Sequence, residues 1–308
     1  MYKYIFKRII MMIPVIIGVS FLVYFIISLT PGDPVKMMLG EEASEEAIKE
    51  VREELGLDQP IIVQYAKYMA KLLRGDLGES YRSKRPVIGE IASRFPITLK
   101  LTFWSMVIAI IIAIPLGIIS ATRQYSLMDS ACSIAALLGA AIPNFWYGLM
   151  LIIWFSLGLG WFPSGGSEGI KSMVLPSITL GTTAAAIITR MTRSSMLEVV
   201  RQDYIRTAKA KGVSRGVVIR KHALQNALIP IVTVVGLQFG HLLGGAVLTE
   251  TVFSIPGMGR LMVDSIKSKD TPMVLGCIIT LASVFSLVNL CIDILYAFID
   301  PRIRSIYK

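Results

Sequence analysis

The residues of this chain that could do chemistry are few, and they are charges rather than nucleophiles or metal ligands. Two histidines, His222 and His241, stand alone. With no HExxH pair, no Cys/His cluster and no Gly-x-Ser-x-Gly elbow, no catalytic residue or metal site is expected. Gly165-Gly-Ser-Glu-Gly-Ile-Lys-Ser172 is glycine-rich but lacks the Gly-x-x-x-x-Gly-Lys-[Ser/Thr] spacing that cradles phosphates, so the chain is not expected to hold ATP or Mg itself. What remains is concentrated positive charge. Arg190 to Gln225 carries nine Lys/Arg (190, 193, 201, 206, 209, 211, 215, 220, 221) against Glu198 and Asp203, and its centre reads Tyr204-Ile-Arg-Thr-Ala-Lys-Ala-Lys-Gly212. A short helix of this makeup offers recognition chemistry. Ala208, Ala210 and Gly212 are small enough to enter a groove, Tyr204 and Ile205 supply an apolar edge, and Arg206, Lys209 and Lys211 suit an acidic rim. The charges alone also fit a solvated loop; the small residues and the abrupt Gly212 do not.

The elements around this segment are apolar. Of 308 residues, 54% are hydrophobic and 17% charged. Ile9 to Leu29 contains no charge, and at about 1.5 Å per residue such a helix crosses a hydrocarbon core of roughly 30 Å. Similar runs are Leu101 to Ala121, Ala131 to Leu157, Met173 to Thr189, Ala227 to Thr249 and Pro272 to Ile292. Backbone inside lipid must satisfy its own hydrogen bonds, so the expected fold is an all-α polytopic membrane protein with six transmembrane helices. The third run carries Pro143 and is expected to kink or tilt.

Lys3, Lys7 and Arg8 precede the first run, and Arg302, Arg304 and Lys308 follow the last, which places both termini in the cytoplasm. The same rule puts 190–225 inside and 31–98 outside. The net charge of +10 is largely spent on these flanks, so nucleic acid is not an expected partner; membrane lipid is. The first run is longer than a secretory signal core and ends in Thr30-Pro-Gly-Asp-Pro34, so it reads as a retained helix. Three segments follow: an N-terminal helix over 1–30, an extracytoplasmic helical insert over 31–98, and a five-helix core over 99–308, with loops at 190–225 and 250–271.

In the insert, Ser44 before Glu45 and Glu46, with Gly56 as a stop, predicts a helix from about Ser44 to Leu55. After Pro60, Ile61, Ile62, Tyr65, Met69, Leu72 and Leu73 predict a second helix with one apolar face. Cys132, Cys277 and Cys291 all fall in spans and are expected to be packing residues. In the fifth span Gly236, Gly240 and Gly244 recur every fourth residue beside Gln238 and His241. Such a face permits close helix approach or lines a translocation path. Asp293 and His241, with Asn289, are the main polar intramembrane groups; an ion-coupled secondary transporter, the rival reading, normally needs more.

The central segment resembles the cytoplasmic coupling loop of binding-protein-dependent ABC importer permeases, whose pattern is Glu-Ala-Ala, three residues, Gly, nine residues, Ile-x-Leu-Pro. Arg206-Thr207-Ala208, Gly212 and His222-Ala223-Leu224-Gln225 fall in that register; Ala208, Gly212 and Leu224 match, while Arg206 and Gln225 depart. Those departures resemble the peptide, nickel and glutathione branch, with its Tyr-x-Arg-Thr-Ala-[Arg/Lys]-Ala-Lys-Gly and His-Ala-Leu-x-Asn-Ala patterns. Pro31 to Pro34, Leu55 to Pro60, Gly75 to Gly78, Pro176 to Gly181, Glu250 to Gly259, Asp293 to Tyr296 and Asp300 to Arg302 extend the resemblance along the chain. It implies a type I ABC importer permease in a prokaryotic cell membrane, moving di- or oligopeptides, or else a nickel chelate or glutathione, by alternating access. It further implies a second homologous permease subunit in a heterodimer, two ATP-binding subunits that hold ATP and Mg, and an extracytoplasmic substrate-binding protein. Tyr204 to Gly212 would meet an ATPase, and Phe253, Pro256, Gly257, Met258 and Gly259 would form an outer gate on the binding-protein side.

Overall fold

A computed structural model of the chain describes residues 2–40 and 42–299. Asp300, Arg302, Arg304 and Lys308 lie outside the described residues, and Lys3 and Tyr296 are described in backbone only. In chain order the helices are α1 (Tyr2–Leu29), α2 (Pro34–Leu39), α3 (Glu45–Glu54), α4 (Ile61–Leu72), α5 (Val87–Thr122), α6 (Leu127–Ala141) and α7 (Asn144–Leu151). There follow α8 (Gly169–Val200), α9 (Asp203–Ala210), α10 (Arg215–Val217), α11 (Gln225–Val252), α12 (Met258–Lys267) and α13 (Thr271–Ile299). Among the described residues there is no strand, only an isolated antiparallel bridge between Glu79 and Pro86.

Among the described residues five helices, α1, α5, α8, α11 and α13, are long and apolar enough to cross a membrane, and each contains one of the expected runs. The third run behaves differently. It breaks at Ile142 and Pro143 into α6 and α7, which a π-helical stretch over Ile152–Gly158 extends, and the two halves are bent by 101°. Proline lacks an N–H and drives its predecessor out of helical geometry; Ile142 is extended at φ −74° and ψ 124°. The expected kink is therefore a full break, and this pair supplies a sixth crossing only as a bent one.

The chain forms two compact units that divide it differently from 1–30, 31–98 and 99–308. One is Leu99–Ile255 with the chain from Leu287; the other is Tyr2–Thr98 with Pro256–Ser286. In the first, α8 is the central helix: 72% of its most apolar stretch is buried, against 28% for that of the continuous segment Arg215–Val252 that ends in α11. Lipid gives helices no hydrophobic reason to associate, so close approach of small residues must do it. A Cβ on Gly117 of α5 would lie 2.5 Å from the Thr192 side chain, and one on Gly181 of α8 would lie 2.8 Å from the Ser105 carbonyl oxygen. Two glycines, one on each helix, thus bring α5 and α8 into contact. Two hydroxyls in these spans turn back on their own helices, Ser105 to Leu101 O and Thr179 to Leu175 O, both at 2.8 Å, so each satisfies its donor within the helix.

In the second unit Ser44 caps α3 by accepting from Ala47 N at 3.2 Å, and Gly56 follows with φ +66°, as its local sequence predicts. Helix α4 packs on α1 through Tyr65, whose hydroxyl donates to Ile17 O at 2.9 Å and meets Ser20 Oγ at 2.8 Å. Ile61, Tyr68 and Met69 join Tyr24, Tyr65 and Leu275 there. Ile62 and Leu73 do not share that face and are exposed, because the helical period carries them around the cylinder. Cys132 and Cys277 are packed inside, whereas Cys291 is exposed.

Candidate functional site

Helix α9 is short, and Ile205 is its one fully buried side chain. Ile205 is fully buried among Met196 of α8, Val218 and Ala223 beyond α10, and Ala227 and Ile231 of α11. Burying an isoleucine contributes about 1.5 to 3 kcal/mol, enough to pin an eight-residue helix that could not stand alone. Ala208 and Val213 pack against the same cluster. Lys211 N donates to Thr207 O at 3.0 Å and Val213 N to Ala208 O at 3.3 Å, closing the helix around Gly212, whose φ is +75°.

The three small residues therefore do not form one docking face. Residues two apart point to opposite sides of a helix, so Ala208 faces the core while Ala210 is exposed. Gly212 is a turn residue with nothing within 4 Å of an added Cβ. The open face is instead Arg206, Thr207 and Ala210, flanked by Tyr204, Lys209 and Lys211. Arg206 and Asp203 approach to 3.7 Å but are both well exposed, so that pair contributes little. Partial burial raises the Tyr204 phenol above its ordinary value, leaving it a neutral hydrogen-bonding group at physiological pH. After α10 the chain is π-helical over Val218–Leu224, which contains the His222-Ala-Leu motif; Asn226 Nδ2 donates to His222 O at 2.6 Å. Ala223 points into the core, and Arg220 and Lys221 point out.

Sequence reasoning missed how the remaining arginines are used. Arg193, near the end of α8, makes a two-pronged contact with Asp129 in the first turn of α6, Nε to Oδ1 at 2.8 Å and Nη2 to Oδ2 at 2.9 Å. Ser120 of α5 donates to Asp129 and accepts from Arg193 Nε at 2.9 Å, and Tyr125 N donates to Asp129 Oδ2 at 3.0 Å. Arg201 reaches Gln124 Oε1 at 3.4 Å, and Arg215 reaches Thr122 O at 3.1 Å. All three cations grip the α5–α6 turn or the helix ends that flank it. The available signal was Asp129 itself, a lone acid at the edge of an apolar run.

The expected outer-gate residues are packed into their own units. Phe253 is fully buried; its ring would lie 2.9 Å from a Cβ on Gly148 of α7, and its carbonyl accepts from Gly166 N at 2.9 Å. In the other unit Gly257, Met258 and Gly259 are buried, Pro256 is half-buried, and Met258 N donates to Thr98 Oγ1 at 2.8 Å. Along α11 the expected path residues part company. Gly240 is buried and Gln238 half-buried, while His241 and Gly244 lie on an exposed stripe with Leu237, Gly245 and Leu248. A Cβ on Gly236 would lie 2.2 Å from Ile292, so that glycine serves close packing against α13.

A second pair that sequence reasoning passed over is Lys269-Asp270. Lys269 Nζ donates to Gly32 O at 2.7 Å and to Thr30 O, holding the Pro31-Gly-Asp-Pro34 turn, while Asp33 caps α2 through Val35 N at 3.0 Å and pairs with Arg52. Asp270 accepts from Ser80 Oγ and from Tyr81 N at 3.0 Å. Burial, with this carboxylate nearby, raises the Tyr81 phenol well above its ordinary value.

Comparison with known proteins gives a consistent picture. The family described as "Binding-protein-dependent transport system inner membrane component" matches residues 113–305, and its N-terminal companion matches residues 1–102. The chain is 46% identical to the dipeptide transport system permease protein DppB of Alkalihalophilus pseudofirmus, over 99% of this chain and all of that one. It is also 46% identical to the glutathione transport system permease protein GsiC of an Escherichia coli strain, over 99% of both. Among solved structures, an inward-facing MetNI methionine ABC transporter matches with a TM-score of 0.59 at 21% identity, covering 69% of this chain and 97% of that one.

Proposed function

The chain belongs to the binding-protein-dependent transport system inner-membrane components, a multi-pass permease of an ABC importer, and from that premise we propose that it carries di- or oligopeptides. The similarity to a dipeptide permease over the whole chain supports this. Equal identity to a glutathione permease supports glutathione, itself a small peptide, as the second reading. Uptake of labelled dipeptide, competed by glutathione, tests it: dominant competition by glutathione would move the substrate to the second reading.

The site reading rests on the open face of α9. Ile205 spends the apolar side of this helix on the protein's own core, and Thr207, Ala210 and the surrounding cations are left for an ATPase subunit on the cytoplasmic side. ATP and Mg belong to that subunit, and this chain hydrolyses nothing by itself. A second, homologous permease subunit covers the exposed stripe at His241 and Gly244, and a binding protein delivers substrate from outside. Counting the bent α6/α7 pair as one span makes the number of crossings even, which supports both termini lying on one side, and the basic flank before α1 favours the cytoplasm as that side.

Purification from native membrane tests the coupling surface. The wild-type chain should bring down an ATPase, and Ala210→Trp should lose it while the chain still accumulates. Ala208→Trp cannot serve this purpose, since it would strike the Ile205 cluster. An unchanged yield of ATPase with Ala210→Trp would remove α9 as the contact.

A further inference from the structure

The three arginines that grip the α5–α6 turn do something that membrane topology does not require. A cation that only marks the cytoplasmic side can point anywhere into water. Arg193 instead enters a site where Asp129 is 5% exposed, and it satisfies both carboxylate oxygens in parallel. Arg201 and Arg215 lie just before and just after α9 and reach the same turn, at Gln124 and Thr122. Both flanks of α9 are thus tied to residues 122–129.

The ties differ in strength. The contacts of Arg201 and Arg215 are single and exposed, and that of Arg201 is long. The Arg193–Asp129 pair is short and two-pronged with its carboxylate shielded, and Ser120 Oγ and Tyr125 N add two further donors to that carboxylate. An apolar contact such as that between Ala121 and the Ile205 cluster can slide; a planar guanidinium seated on a carboxylate cannot turn without losing both bonds.

We propose that Arg193 and Asp129 are positioning residues for coupled transport. They make the α5–α6 turn move as one piece with the stem of α9, so that displacement of α9 reaches α5 and α6 as well as α8 and α11. The proposal rests on the reading of α9 as the ATPase contact. It requires an element with two arrangements that both the ATPases and the bundle bias.

The test is substrate moved per ATP hydrolysed, measured with the complete transporter in proteoliposomes. Asp129→Asn keeps the shape of the side chain and removes its charge. It should leave the ATPase subunits bound and hydrolysing ATP while transport per ATP falls roughly 10-fold, within the range by which residues away from both ligands alter coupling. Arg193→Lys, which keeps the charge and loses the parallel geometry, should fall between Asp129→Asn and wild type. The exchanged pair, Asp129→Arg with Arg193→Asp, should regain part of the loss.

A wild-type ratio in Asp129→Asn overturns the proposal. So does a parallel loss of hydrolysis, transport and thermal stability, which would make the pair a fold staple only. If Asp129→Asn does not reach the membrane, Arg193→Lys decides in its place, and a wild-type ratio there overturns the proposal. Ala210→Trp separates the two readings: ATPases that stay bound to it refute the α9 contact, whatever the Asp129 variants do.

Discussion

Helices α9 and α12 are both followed, two residues past their ends, by a residue in the left-handed region, and it is held there by opposite means. Helix α9 stops at Gly212, φ +75°, with open space around it. Helix α12 stops at Lys269, φ +52°, which is 8% exposed and ties its ammonium to Gly32 O and Thr30 O. A side chain in this region costs about 1 to 2 kcal/mol, a cost glycine avoids. At α12 side-chain bonds over-determine the conformation; at α9 only the backbone bonds that close the helix hold it. The joint after α12 spends its charges inside its own unit, with Lys269 on one turn and Asp270 on another. The segment around α9 divides its cations, three inward to the α5–α6 turn and the rest outward. Charge consumed by the chain itself marks a joint, and charge left open marks a surface for another molecule.

The sharpest way to break this comparison is at Asp270, which is 2% exposed. Asp270→Ala strips the acceptor from Ser80 Oγ and Tyr81 N and should cost about 2 to 3 kcal/mol, seen as a lowered Tm of the purified protein. An unchanged Tm would show that the joint does not need its charges. Smaller effects come from exchanging the two helix ends. Gly212→Ala meets no neighbour and should cost about 1 kcal/mol from backbone strain alone. Lys269→Gly relieves that strain but forfeits the ammonium bonds, so it should destabilise as well; stabilisation would mean that those bonds are not what holds the turn. The smallest stability effect belongs to the open face. Lys209→Glu should change stability by less than about 0.5 kcal/mol, yet weaken association with an ATPase, which co-purification would register.

How far the sequence could be read depended on the range of the interaction. The Ser44 cap, the stops at Gly56 and Gly212, and the break at Pro143 are each set by residues within one turn, so local chemistry exposes them. The bend of 101° at Pro143 is not local; Asn144 accepts from Thr183 of α8 there, and no periodicity contains that contact. The face of α9 was misjudged for a related reason. Ala208, Ala210 and Gly212 look like a set in the sequence, but burial of Ile205 decides which way the helix faces, and its partners come from α8, α11 and the π-helical stretch between.

By itself, then, the sequence determined that this protein is a membrane-embedded helical permease, because apolar run length and the order of its motifs are properties of the chain read in one dimension. Only the tertiary structure decided which of the nine cations between Arg190 and Gln225 are tethers and which are free to meet a partner. Arg193 and Asp129 are 64 residues apart, and Lys269 is 237 residues from Gly32. A charge reveals its role through what stands within a few ångströms of it, and that is settled by packing.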